Sequence, residues 1–292
     1  MADLAGMSFV WGMETPLLLV SLALAALGLW RFFPAARNRL VIARPNPGLG
    51  LTRFVLVLAA AWFTVVLTAF SDENIVGKYV VLYAALAFTC LMWGAFWRPV
   101  LGIWSNADVV ERGNLAAALV IAGFALGTMF AFGGALTGED ASCRGEFAAR
   151  DVCQQIRSFS PGETYGTGGW HVVLVFFLLA YLELRANMAL VSRLGGGLAD
   201  QARLDRDPSA GALLAAVAIA SGLISGRAAA GDFAGWGPAF ADYGSRIWPI
   251  LLVPAVAALV GFLTTDRARG PLVRGITAVL LVAGAGAVYI FT

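Results

Sequence analysis

Glu183 is the one ionisable residue that lies well inside an apolar stretch, in the run Leu182-Glu183-Leu184-Arg185-Ala186-Asn187. A carboxylate at that depth in a bilayer costs about 2.5–3.5 kcal/mol unless it is neutralised or paired, so it must turn toward other helices. Residues two apart on a helix point to nearly opposite faces, so Arg185 is not its local ion-pair partner. Arg185 instead snorkels toward the arginine-rich end. Asn187, four residues on, shares the Glu183 face. Two chemistries suit this arrangement: a proton or cation site lined by Glu183, Asn187 and Thr128, or a protonated or hydrogen-bonded glutamate that ties helices together.

Other reactive residues are few. The single histidine, His171, sits beside Trp170 at the start of an apolar stretch, which disfavours bis-histidine haem, a histidine-rich metal cluster and a buried serine–histidine triad. Its plain reading is an interfacial histidine. Gly195-Gly196-Gly197 lacks the Lys-Ser/Thr of a phosphate loop and reads as a flexible linker. No paired acid and base, metal-ligand spacing or cofactor motif stands out, so the expectation is a protein that is not an enzyme and carries no cofactor.

Composition says what must hold these residues. With 60% hydrophobic and 13% charged residues and a mean hydropathy of +0.79, polar surface cannot cover the chain. It is expected to be an all-α integral membrane protein surrounded by the lipid bilayer. Apolar stretches of bilayer-crossing length lie near 14–33, 52–70, 78–97, 115–136, 170–192, 209–228, 246–264 and 272–291. Acidic Asp3 and Glu14, with no basic segment, precede the first stretch, which therefore reads as a retained span rather than a cleaved signal.

Eight spans form four hairpins of one orientation, and the central two repeat. Tyr79-Val80-Val81-Leu82 opens a helix that ends at Trp97-Arg98, crosses a polar loop and resumes at Asn114. His171-Val172-Val173-Leu174 opens the second copy, which crosses ADQARLDRD and resumes at Asp207-Pro208. Such parallel repeats are related by an axis along the membrane normal. The chain divides into an N-terminal hairpin (1–77), a duplicated core (78–232, with copies at 78–136 and 170–228) and a C-terminal hairpin (233–292). The flanking hairpins read equally as degenerate copies or as additions.

The return helices of the two copies are rich in small residues. Gly123 and Gly127 in one, and Gly222 and Gly226 in the other, are four apart, so each pair marks a face on which backbones can approach closely. These two helices are expected to make the central contact. Asn114 and Asp207-Pro208-Ser209 stand where helix N-caps belong. Val100, Leu101, Ile103 and Trp104 in the 98–113 loop suit a short helix lying in the membrane interface.

Basic residues set the orientation. Fourteen lie after the odd-numbered spans and six after the even ones, which places both termini outside the cytoplasm. The net charge of +2 gives no reason to expect nucleic acid. Cys143 and Cys153 share the 138–169 loop on the side depleted of arginine, where a disulfide is expected. Cys90 lies within a span and reads as a small apolar residue.

The stretch Glu111-Arg112-Gly113-Asn114-Leu115-Ala116-Ala117-Ala118-Leu119, with Gly123 and Gly127, resembles one half of the YjfL-like family of bacterial inner-membrane proteins. Asp207-Pro208-Ser209-Ala210-Gly211-Ala212-Leu213, with Gly222, is a looser match to the other half. The resemblance spans about 78–232 and leaves both outer hairpins as additions; Asp207 stands where the family pattern has asparagine. It implies an inner-membrane location and a link to envelope-stress operons, and no known activity.

Two functions remain open. One is a non-catalytic component of an envelope-associated assembly, a homo-oligomer or a subunit of a membrane complex, because polar groups inside the spans are too sparse to line an aqueous route. The other is an ion channel or a proton- or cation-coupled transporter with its site at the repeat axis near Glu183.

Overall fold

The computed structural model describes short helical stretches at 19–20, 22–23 and 26–27, and residues 46–67, 78–137, 170–230, 236–263 and 270–291. Most of these residues are helical, and the only extended pairing among them is an isolated bridge between Val100 and Ile103. Seven helical segments among them are long and apolar enough to cross a membrane. The eighth expected span, 14–33, and the loop carrying Cys143 and Cys153 lie largely or wholly outside the described residues.

In chain order the helices are α1 (Pro47–Val65), α2 (Lys78–Leu91, continued by a π-helical turn Met92–Trp97), α3 (Leu115–Leu136), α4 (Trp170–Leu194) and the short α5 (Leu198–Arg203). They continue as α6 (Pro208–Ala229), α7 (Trp236–Ile247), α8 (Leu252–Leu263) and α9 (Gly270–Phe291). A π-helical turn, Ser105–Glu111, lies between α2 and α3. The bounds of α3 match the apolar stretch. By contrast, α1 begins five residues before the expected 52, because Asn46 caps it and Pro47 occupies the first turn, where a missing N–H costs nothing.

The seventh span also differs from expectation. It begins at Trp236 rather than 246, as an amphipathic helix α7 that buries Ala239 and Tyr243, four residues apart. A 3₁₀ turn over Trp248–Leu251 then leads into α8. Pro249 cannot donate to the ladder, so the α-helical hydrogen bonding is interrupted there.

Four helices stand side by side and run in the same direction. Gly48 of α1 faces Asn114 and Ala118 at the start of α3, whereas Trp62 and Val66 face Gly133 near its end. Gly211 at the start of α6 faces Ala116, and Gly226 near its end faces Phe130. Arg274 near the start of α9 bonds Asp207, the N-cap of α6. The resulting row is α1–α3–α6–α9, with α2 packed on α3, α4 on both α3 and α6, and α8 on α4 and α9. The two middle helices are apolar on every face and almost wholly buried, which suits the centre of a bundle rather than its lipid-facing rim.

Candidate functional site

The seam between α3 and α6 is a backbone contact. A Cβ added at Gly123 would overlap the backbone of Ala215, one at Gly127 the carbonyl of Ala218, and one at Gly222 the backbone of Gly127. At Gly226 it would lie 2.5 Å from the Phe130 carbonyl oxygen. The four glycines singled out by spacing therefore meet across one seam. Gly134 and Gly211, which the spacing did not mark, join them: a Cβ at Gly134 would overlap Gly226, and one at Gly211 would lie 2.5 Å from the Ala116 carbonyl oxygen. Lipid supplies no hydrophobic drive between helices, so this close packing is what binds them.

Glu183, Asn187 and Thr128 do not form one cluster. The Tyr243 hydroxyl donates to Glu183 Oε2 at 2.7 Å, tying α4 to α7. Asn187 donates to the Ser221 hydroxyl at 3.3 Å, tying α4 to α6. Thr128, fully buried, donates to the Phe124 carbonyl of its own helix at 2.8 Å, and Ser225 likewise to Ser221 at 2.6 Å. Glu183 thus belongs to the C-terminal side of the bundle and not to the α3/α6 seam. Tyr243, its partner, carried no signal in the sequence, since it lies 60 residues away in a stretch of low hydropathy.

A second polar system runs along the end where the four parallel helices begin. Asn46 caps α1 by accepting from the Leu49 N–H at 3.0 Å, and its amide donates to the carbonyls of Val109 and Val110 at 2.9 and 3.1 Å. Asn114 repeats this for α3. It accepts from the Ala117 N–H at 3.1 Å and donates to the carbonyls of Ala202 and Arg203 at 2.9 and 3.0 Å. The acceptor pairs are 93 residues apart, so each asparagine both caps its own helix and clamps the segment leading into the next helix of the row. Asp207 has no amide to donate; it caps α6 through Ser209 and accepts from Arg274 of α9 at 2.9 Å.

The backbone leading into α3 and α6 carries the same 93-residue period. Gly113 and Arg206, each just before its cap, have φ of +62° and +56°. The Asn114 N–H donates to the Asp108 carbonyl and the Asp207 N–H to the Gln201 carbonyl, both at 3.0 Å. The side chains at 108 and 201 also correspond. Asp108, fully buried, takes Arg112 at 3.0 Å, the Trp104 N–H at 2.8 Å and Arg203 at 3.5 Å, and Gln201 takes Arg274 at 2.9 Å. The 98–113 loop is thus an inward-packed clamp: Val100 and Ile103 are buried and only Trp104 faces outward among its large apolar side chains.

A family model for a domain of unknown function, DUF350, matches residues 66–229, just over half of the chain. The chain belongs to the DUF350 family. No curated protein and no solved structure matches it. The DUF350 region takes in α2 to α6, and therefore the whole α3/α6 seam with the caps Asn114 and Asp207. It leaves outside α1 with its cap Asn46, and α7 to α9 with Tyr243 and Arg274, although these flanking residues complete both polar systems. An apolar cavity of about 420 Å³ straddles the family boundary, lined by Leu56, Phe63 and Thr64 of α1, Ala84 and Phe88 of α2 and Met129 of α3.

Proposed function

We propose that this chain is a non-catalytic, multi-pass bacterial inner-membrane protein built as four parallel hairpins, and that it acts as an oligomeric or partner-binding component of an envelope-associated assembly. The observation that carries this reading is the α3/α6 seam, where helix backbones touch and leave no space along the axis of the two central copies. The polar side chains nearest that axis support it, since Thr128 and Ser225 each donate to a carbonyl of their own helix and Asn187 donates to Ser221 of the neighbouring one. The clamp from Asn46 to α3 and the ion pair from α6 to Arg274 favour reading the outer hairpins, 1–77 and 233–292, as degenerate copies of the 78–232 core. The resemblance to the YjfL-like family and the arginine bias favour an inner-membrane location with both termini periplasmic.

Among the described residues the row ends at α1 and α9, which offer surface for association. On α9, Leu272, Val279, Leu280 and Ile290 are each exposed by 65% or more. Gly275, Gly284 and Gly286 meet no other atoms, so another helix can approach the backbone there. Native mass spectrometry of the protein extracted from membranes tests the reading. A defined oligomer or a stable hetero-complex is expected, dissociated by Gly284→Leu; a monomer that co-purifies with nothing contradicts it.

One observation favours a channel or a proton- or cation-coupled transporter. Glu183 lies within a span, is only partly buried and accepts a hydrogen bond from a tyrosine of another helix, and ionisable residues at such depth mark ion and proton pathways. Reconstituted flux separates the two readings: transport would be abolished by Glu183→Gln, whereas the component reading predicts no flux in either protein.

A further inference from the structure

We propose that Arg98 and Arg185 form a headgroup site for an anionic phospholipid at the seam between α2 and α4. The two helices meet where a Cβ at Gly94 would touch the Tyr181 ring at 3.1 Å. Arg185 rises from α4 at this point, donating through Nη1 to the Tyr181 hydroxyl at 3.1 Å and through Nη2 to the Pro99 carbonyl at 3.4 Å. Arg98 is the residue immediately before Pro99, and its guanidinium lies 4.9 Å from the centre of the Trp93 ring. Two guanidinium groups therefore flank one backbone segment at the end of a membrane span.

Neither has an acidic partner among the described residues. Among the described residues, ion pairs engage Arg112, Arg203, Arg246 and Arg274, but not Arg98 or Arg185. Arg185 lies within a span, where its charge is met by a phenol, one carbonyl and the Phe124 and Tyr181 rings, each centred 5.9 Å away. Glu183 does not serve it, because that carboxylate is turned to Tyr243. A guanidinium has five N–H donors in a planar fork, so most of those on Arg185 remain for a phosphate oxygen pair.

The surroundings choose a lipid over a soluble anion. Trp93, Leu178 and Leu182 beside the site are 42%, 53% and 54% exposed, and in a membrane such surface faces acyl chains. Arg185 is nine residues from the end of α4 at Leu194, and a long side chain at that depth reaches the headgroup level by snorkelling. A zwitterionic headgroup brings its own cation to the two arginines; an anionic one does not.

The test is lipid titration of the full-length protein in mild detergent, followed by native mass spectrometry. The probes are phosphatidylglycerol and phosphatidylcholine with the same acyl chains, with glycerol 3-phosphate as competitor. Phosphatidylglycerol should bind at least about tenfold more tightly, the worth of a charge-assisted phosphate contact. Arg185→Gln and Arg98→Gln should each lower its affinity about tenfold and leave phosphatidylcholine unchanged, whereas Arg193→Gln, on the same end of α4, should change neither. Because Arg98 is exposed, its variant folds even where the Arg185 variant does not. Equal binding of the two lipids, or an equal loss in Arg193→Gln, would overturn the site. Displacement by glycerol 3-phosphate would make the ligand a soluble anion and would equally overturn it.

Discussion

The α1/α3 and α3/α6 seams join parallel helices with the same asparagine clamp, yet their backbones come to different distances. At α3/α6, a Cβ on Gly123, Gly127, Gly134 or Gly222 would overlap backbone. At α1/α3, a Cβ on Gly48 would sit 3.1 Å from the Ala118 Cβ and one on Gly133 3.2 Å from the Trp62 indole nitrogen, both side-chain contacts. The difference separates two jobs. The caps at Asn46 and Asn114 set which helix starts beside which, and the glycines set how tightly the pair then closes. Register is shared along the row; close approach belongs to the centre.

The sharpest way to break that division is to fill the central seam. Gly127→Leu or Gly222→Leu should destabilise the protein by about 3 kcal/mol or more, because backbone cannot yield as a side chain can. Thermal unfolding in detergent, followed by loss of monodispersity, reads the effect. Gly284→Leu on the open face of α9, which meets nothing within 4 Å, should leave the unfolding temperature of the isolated chain within a degree or two. Equal losses at the two sites would mean that the seam is not the tight contact described.

A smaller effect should follow from removing one clamp. Asn114→Ala deletes a cap worth about 1 kcal/mol and leaves the buried Ala202 carbonyl and the partly buried Arg203 carbonyl to find other partners, for a total near 2 kcal/mol. Asn46→Ala should cost about half as much, since its bonds are only partly buried. Chemical denaturation in mixed micelles orders the two variants. An Asn46 variant less stable than the Asn114 one would reverse the argument that the middle of the row is the more tightly determined.

Smallest of all is the strain at the corner before each cap. Gly113 takes the left-handed conformation freely, and Arg206 takes it against its Cβ at a cost of about 1 kcal/mol. Arg206→Gly should therefore stabilise the protein by about 0.5 kcal/mol, while Gly113→Ala should destabilise it by about 1 kcal/mol. The same denaturation experiment checks both signs.

These contrasts also show what the sequence displays and what it hides. The limits of α3 were legible because Asn114 ends a polar loop and an unbroken apolar run follows. The start of α1 was not, because the expected stretch was bounded by its apolar run from 52 and not by its cap, although Asn46-Pro47 carries the same signal as Asp207-Pro208. Helix α7 was hidden by its polar composition, since Asp242, Ser245 and Arg246 lower the hydropathy of a segment that buries one narrow face. The depth of Glu183 was readable from its neighbours; its partner was not, because Tyr243 reaches it through a packing between α4 and α7 that no local pattern encodes. Likewise the glycine spacing marked a close-approach face on each helix without naming the opposite residues, which parallel direction and register decide together.

The central claim is that the row of parallel helices extends beyond the DUF350 region, and α1 is where it is most open to direct test. In a variant lacking native cysteines, cysteine pairs at Gly48 with Ala118 and at Val66 with Gly133 should both form disulfides when membranes are oxidised. Those positions face each other at the two ends of the seam, within reach of a disulfide after small adjustment. The crossed pairs, Gly48 with Gly133 and Val66 with Ala118, should remain unlinked in the same membranes. Mass spectrometry of the digested protein identifies the links. Both matched pairs joined is the predicted result; crossed pairs joined instead would show that α1 runs against α3 and would contradict the account.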